Sequence, residues 1–143
     1  MTPGAIRRTE DLPTNVVIPS DLAAAHEAEK ALLAEVAGRH YSEAATFAIK
    51  LAVEEGMNNA IKHGNRFDAG KTVELAYDIR KDRAVITITD QGEGFDPSAV
   101  PDPTADENLE KPTGRGVMLM HAYMDEVAYN CKGNQVRMVK RNN

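Results

Sequence analysis

The hydrophobic period changes from 3.6 to 2 just after Gly64, and this restricts the chain to helices followed by a sheet. Before the change, Ser20 predicts a helix start, and Leu22, Ala25, Ala28, Leu32 and Val36 recur at helical steps up to Gly38. Ser42 predicts a second cap, with helical sequence to about His63, where Gly64 ends it. After the change, Thr72 to Ile79 alternates as a strand and Arg83 to Asp90 returns as its hairpin partner. Glu126 to Asn130 and Gln135 to Lys140 read as a closing hairpin, and Asn15 to Ile18 as a short strand ended by Pro19. Between the hairpins, residues 96–113 hold four prolines and no periodicity, which marks a long loop. Residues 116–124 read as a short helix. This order predicts an α/β two-layer sandwich, with a mixed, mostly antiparallel sheet and the helices on one face.

At 143 residues the chain reads as one domain, 15–143, behind an N-terminal arm, 1–14. Lys and Arg number 17 against 22 Asp and Glu, a net charge of −5, which argues against a nucleic-acid partner. No apolar run approaches the length of a membrane span, and the start lacks the apolar core of a secretory signal. A single cysteine, Cys131, excludes an internal disulfide and a cysteine zinc cluster. A cytoplasmic protein without a membrane partner is the simplest expectation.

The second helix carries two Glu-x-x-x-Asn pairs. With Phe47 at zero, Glu55, Asn59 and His63 fall at about 80°, 120° and 160°, inside the apolar arc. Glu54 and Asn58 fall on the polar side and read as a solvated pair. Val53, Met57 and Ile61 break the pattern, which suggests a helix covered on more than one side. A buried carboxylate must find a partner or a cation. A carboxylate and an amide oxygen one turn apart suit Mg²⁺ with water and phosphate oxygens; a hydrogen bond to the sheet is the structural alternative. His63 alone reads as a cation near the last helix carbonyls.

Two glycine motifs follow. Asp90-Gln91-Gly92-Glu93-Gly94-Phe95 leaves a strand directly, so a carboxylate stands where backbone can approach a ligand closely. Thr113-Gly114-Arg115-Gly116 precedes Val117-Met118-Leu119-Met120, and glycines at a helix start favour phosphate. No Walker motif, dinucleotide fingerprint or His-Glu-x-x-His is present.

Together these segments resemble the boxes of the histidine-kinase-like (GHKL) ATPases. Glu55-Gly56-Met57-Asn58-Asn59-Ala60-Ile61-Lys62-His63 is similar to the N box, Asp90 to Phe95 to the first glycine box, and Gly114 to Met120 to the second. The run Ala52 to His63 and Met124-Asp-Glu-Val127 resemble most the bacterial anti-sigma factor and serine-protein kinase branch. The resemblance implies a Bergerat-type ATP-binding fold with ATP and Mg²⁺ as cofactors and residues 96–113 as the lid. By the same resemblance Glu55 is the general base and Asn59 the Mg²⁺ ligand. Asp90 binds the adenine amino group in a pocket shaped by Gly92 and Gly94. Gly114, Arg115 and Gly116 contact phosphates, and His63, Lys111, Thr113 and Val117 complete the nucleotide-binding set. Asn134 and Gln135 stand where many relatives carry a threonine.

The activity implied is a protein serine/threonine kinase acting as an anti-sigma factor in partner switching. Its partners would be a sigma factor and an anti-sigma antagonist of the STAS type, and the family often forms homodimers. The alternative is a nucleotide-regulated binding module without significant kinase activity. A sensor histidine kinase fragment phosphorylated on His26 is disfavoured. Only about 40 residues precede the N-box helix, too few for a phosphoacceptor hairpin, so the substrate is expected on another chain.

Overall fold

The structure, a computed structural model, describes residues 12–92, 122–130 and 132–142. Its strands are β1 (Thr14–Pro19), β2 (Thr72–Ile79), β3 (Arg83–Thr89), β4 (Glu126–Tyr129) and β5 (Gln135–Arg141). They form a five-stranded sheet in the order β1-β2-β3-β5-β4, and every pairing is antiparallel. Two helices, α1 (Leu22–Gly38) and α2 (Glu43–Asn58), pack with it. The two-layer α/β expectation therefore holds. Residues 96–113, and residues 116–121 of the segment expected as a short helix, lie outside the described residues; Ala122 and Tyr123 are helical.

The period-2 pattern explains the layering. Val73, Leu75, Tyr77 and Ile79 of β2, Ala84, Ile86 and Ile88 of β3, and Val136 and Met138 of β5 alternate onto one face. They form one buried cluster with Leu32 and Val36 of α1 and Ile49, Val53 and Met57 of α2. On the other face Ala76, Val85 and Val139 gather with Leu12. No helix among the described residues is long and apolar enough to cross a membrane.

The start of α2 follows the sequence: Ser42 Oγ accepts from Ala45 N–H at 3.1 Å. The start of α1 differs. Asp21, not Ser20, is the cap, its carboxylate accepting from Ala23 N–H at 3.3 Å. Ser20 is buried and its Oγ donates to Lys71 O at 2.9 Å. The hydroxyl is not free to cap because it is bound to Lys71 O and to the Asn65 amide. His26 is exposed, a solvent-facing residue on α1.

The helical wheel is corrected in its phase. Ala45, Ala48, Ile49, Ala52, Val53, Gly56 and Met57 are the buried residues of α2, while Phe47 is 57% exposed and meets Tyr123 edge-on at 5.9 Å. Because α2 packs against both α1 and β5, its apolar arc is wider than one contact face and reaches Val53 and Met57. Beyond Asn58 the helix widens into a π-helical segment, Asn59–Gly64. The wider turn carries Ile61 into the core and leaves Lys62 and His63 exposed. Arg66 and Phe67, just past this segment, adopt positive φ of 52° and 57°.

Glu54 is corrected too. It and Asn58 are half-buried, and Glu54 is hydrogen-bonded to Glu29, a residue of α1 only 5% exposed. Burial lifts the Glu29 carboxyl from 4.5 to about 7, the Glu54 hydrogen bond and charge add to this, and Lys50 opposes it. A raised folded-state pKa means that the unfolded chain gives up this proton first as pH rises. The stabilisation is therefore complete below about pH 4.5 and lost as pH climbs through about 7. Between pH 5 and 8, Glu29→Gln is expected to lose less stability than the parent, by on the order of 2 kcal/mol. Urea unfolding across that range checks this; parallel curves for the two proteins would refute it.

Candidate functional site

The two glycines of the α2 region decide where its polar residues lie. A Cβ on Gly56 would meet Ile88 Cδ1 at 2.6 Å, and a Cβ on Gly64 would overlap the Asp90 carboxylate. The helix thus rests on β3 at Gly56, beside Glu55, and reaches Asp90 at the far end of its π-helical segment. A side chain at either point would force the Ile88 or the Asp90 side chain to shift.

Asp90 leaves β3 as its last turn begins. Its backbone N–H donates to Asn134 O at 2.9 Å, and Asn134 Nδ2 donates back to Asp90 O at 2.9 Å. Its Oδ1 accepts from Gly92 N–H at 2.8 Å. Among the described residues no donor reaches Oδ2. Burial raises the Asp90 carboxyl above its ordinary value, while the Gly92 N–H, Lys132 and Lys71 pull the other way. A half-buried carboxylate with an oxygen to spare is suited to an amino-group donor on a flat ligand. Gly92 is itself packed so closely that a Cβ there would overlap the Gly64 carbonyl.

A buried polar knot supports this loop. Asn65 is 1% exposed. Its Oδ1 accepts from Gln91 N–H at 2.8 Å, and its Nδ2 donates to Ser20 Oγ and to Thr72 O, both at 2.9 Å. Gln91 Oε1 accepts from Thr72 N–H at 2.7 Å. The turn before α1, the end of the π-helical segment, the start of β2 and the Asp90 loop therefore meet at one amide. Sequence reasoning missed Asn65, Gln91 and the role of Ser20. The only local signal was an asparagine directly after the helix-ending glycine.

Glu55 and Asn59 lie one turn apart and both are half-buried, not at the centre of the apolar arc. His63 is exposed, and its pKa is drawn down, first by desolvation and then by Lys62. Asn134 turns its amide to Asp90, whereas Gln135 Nε2 donates to Thr89 Oγ1 at 2.9 Å. Gly94, Lys111, Thr113, Gly114, Arg115, Gly116 and Val117 lie outside the described residues.

The donor set fits a nucleotide with Mg²⁺. Asp90 offers a half-buried carboxylate oxygen that no described donor reaches, and Glu55 and Asn59 offer hard oxygen donors. Among the described residues no group of three or more His, Cys, Asp or Glu could hold a metal alone. Mg²⁺, which keeps several waters and phosphate oxygens, asks for no such cage.

The profile of the histidine kinase-like ATPase domain matches residues 18–140. The chain is 36% identical over 99 residues to the serine-protein kinase RsbW of Staphylococcus epidermidis, covering 64% of this chain and 62% of that protein. It is 32% identical over 101 residues to RsbW of Bacillus subtilis, with the same coverage. To the anti-sigma F factor of Clostridium perfringens it is 34% identical over 101 residues, 66% of this chain and 71% of that protein. The chain spans less than two thirds of the length of the kinases named. A match that takes in both helices and every strand after them, over a fold of this topology, leaves one assignment: the chain belongs to the histidine kinase-like ATPase domain family.

Proposed function

We propose that the chain binds ATP with Mg²⁺ and phosphorylates a serine or threonine of another protein, as an anti-sigma factor kinase in a partner-switching system. The seat at Asp90, clamped against the glycine end of the helix that bears Glu55 and Asn59, carries this reading. The names of the relatives, serine-protein kinase and anti-sigma factor, support it.

In this reading Asp90 accepts the exocyclic amino hydrogen of adenine, Gly92 and Gly94 shape the pocket around the ring, and the contact of Gly92 with the Gly64 carbonyl holds the Asp90 loop against the helix end. Asn59 supplies an amide oxygen to Mg²⁺. Bound there, the nucleotide and its metal supply the phosphoryl group and neutralise the charge that develops on it. Glu55 would accept the proton of the partner's hydroxyl as that oxygen bonds to the γ-phosphorus, the bond to the β-phosphate oxygen breaks and ADP leaves. His63, neutral and exposed at the helix end, stands as a polar contact for the nucleotide. The glycine-flanked segment Thr113 to Val117, with Lys111, contributes backbone N–H groups and positive charge to the phosphates.

The partners are a sigma factor and a STAS-type antagonist, the antagonist being the phosphoacceptor. Incubation with γ-labelled ATP and these two proteins tests the reading. Label on a serine of the antagonist, lost with Asp90→Asn, is the expected result. ATP-dependent binding of the sigma factor without label transfer would leave a nucleotide-regulated binding module instead.

A further inference from the structure

We infer that Asn65 is a positioning residue for base recognition, and that its side-chain amide sets the Asp90 loop at a fixed place relative to the end of the α2 region. The inference rests on the proposed reading of Asp90 as the adenine acceptor. Asn65 touches no ligand in that reading; it acts through Asp90.

The geometry is specific to the amide. Asn65 stands directly after Gly64, the residue pressed on the Asp90 carboxylate. Its backbone N–H closes the π-helical segment on Ala60 O at 2.8 Å. Its Oδ1 holds the N–H of Gln91, the residue that follows Asp90. Both hydrogens of Nδ2 are spent, on Ser20 Oγ and Thr72 O, so the amide is oriented from behind and cannot turn its oxygen away from Gln91. Ser20 Oγ in turn donates to Lys71 O, which fixes which hydroxyl lone pair faces Asn65. Only a side chain with one acceptor and two donors on a short stem satisfies all three contacts at a site 1% exposed.

The mechanical consequence concerns two ends of one site. The segment that Asn65 caps begins at Asn59, the proposed metal ligand. The other side of the amide bond network ends at Asp90, the proposed base acceptor. Asn134 holds residue 90 from the β4–β5 side and Asn65 holds residue 91 from the helix side. Losing the second clamp leaves residue 91 held on that side by its own side chain alone, Gln91 Oε1 on Thr72 N–H, so its backbone is free to shift relative to the helix end. A 6-amino group would then lose its aligned acceptor, whereas a nucleotide that makes no such bond would lose little.

The test compares ATP with ITP, which carries an oxo group in place of the 6-amino group. Affinities for both are measured calorimetrically on the full chain and on Asn65→Ala, with Asp90→Asn alongside. Asn65→Ala is expected to shrink the preference for ATP over ITP by about tenfold, the scale of a hydrogen bond lost to a charged acceptor. Both nucleotides see the same folded fraction, so a defect in folding alone leaves this ratio unchanged. Should Asn65→Ala fail to fold, Ser20→Ala carries the same test. It keeps Asn65 but removes one of the two acceptors that orient it, and is expected to cut the ratio by about threefold. A preference that survives in the Asn65 or Ser20 variant but is lost with Asp90→Asn overturns the inference alone. A parent protein that does not prefer ATP, or keeps its preference in Asp90→Asn, overturns the Asp90 reading and this inference with it.

Discussion

Glu55→Gln is expected to lower phosphoryl transfer by about 10²–10⁴-fold while ATP affinity stays at the parent value. The amide keeps the shape and the hydrogen-bonding reach of the carboxylate but has no lone pair basic enough to take a hydroxyl proton. Glu55 lies on α2 beside Gly56, whereas the Asp90 carboxylate meets the chain at Gly64, so Glu55→Gln is expected to leave the base-binding end unchanged. The neighbouring Glu54 makes this a discriminating experiment. Glu54 is tied to the Glu29 carboxyl across the helix interface, so it is already committed to a partner. Glu55, one turn from Asn59, shares that residue's flank. Glu54→Gln is therefore expected to disturb stability and its pH dependence more than transfer. ADP formation in the presence of the antagonist protein, measured for both variants, decides between them. Transfer lost with Glu54→Gln and kept with Glu55→Gln would exchange their roles.

These two glutamates also show what a linear reading captures. The change of period at Gly64, the alternation of β2 and β3, and the pairing of the last two strands were legible because each depends on neighbours within a few residues. The choice of Glu55 and Asn59 over Glu54 and Asn58 came from a wheel, and the wheel assumes one contact face and 3.6 residues per turn. Neither assumption holds through the α2 region. Packing against α1 widens the apolar arc to Val53 and Met57, and the π-helical segment rotates Ile61 inward. Glu55 and Asn59 consequently sit at the edge of the buried arc, half-exposed to solvent. Burial alone would have made the charge costly; partial exposure makes it usable.

What could not be read from sequence is the set of contacts that join distant segments. Asn65 reaches Ser20, 45 positions earlier, and Gln91, 26 positions later. No periodicity encodes such a partner, because a buried amide is satisfied by whatever the fold brings to it. The same holds for Glu29, which a helical stripe places among apolar residues without naming Glu54. Ser20 was misread for a related reason. A serine before a helix is a good cap in isolation, yet here Asp21 caps and the serine is drawn into the knot.

Gly92→Ala is expected to destabilise the fold by about 1–3 kcal/mol, the usual cost of forcing an extra carbon into packed surroundings. The added carbon would overlap the Gly64 carbonyl, which is main chain and cannot swing aside as a side-chain tip does. Gly64 is itself fixed, since Asn65 N–H closes the π-helical segment on Ala60 and the Asn65 amide is held by Ser20 and Thr72. The loop must therefore move instead of the helix end. That movement stretches both Gly92 N–H to Asp90 Oδ1 and Gln91 N–H to Asn65 Oδ1. ATP affinity is expected to fall by about tenfold or more with it, because the carboxylate loses its orientation. Gly38→Ala is the matched control. A Cβ there meets nothing within 4 Å, and alanine is the better helix residue, so a gain of about 0.5–1 kcal/mol is expected with unchanged affinity. Urea unfolding and ATP titration of the two variants separate the cases. If Gly92→Ala binds ATP as the parent does, the contact between the Gly64 carbonyl and the Asp90 loop has no part in shaping the nucleotide seat.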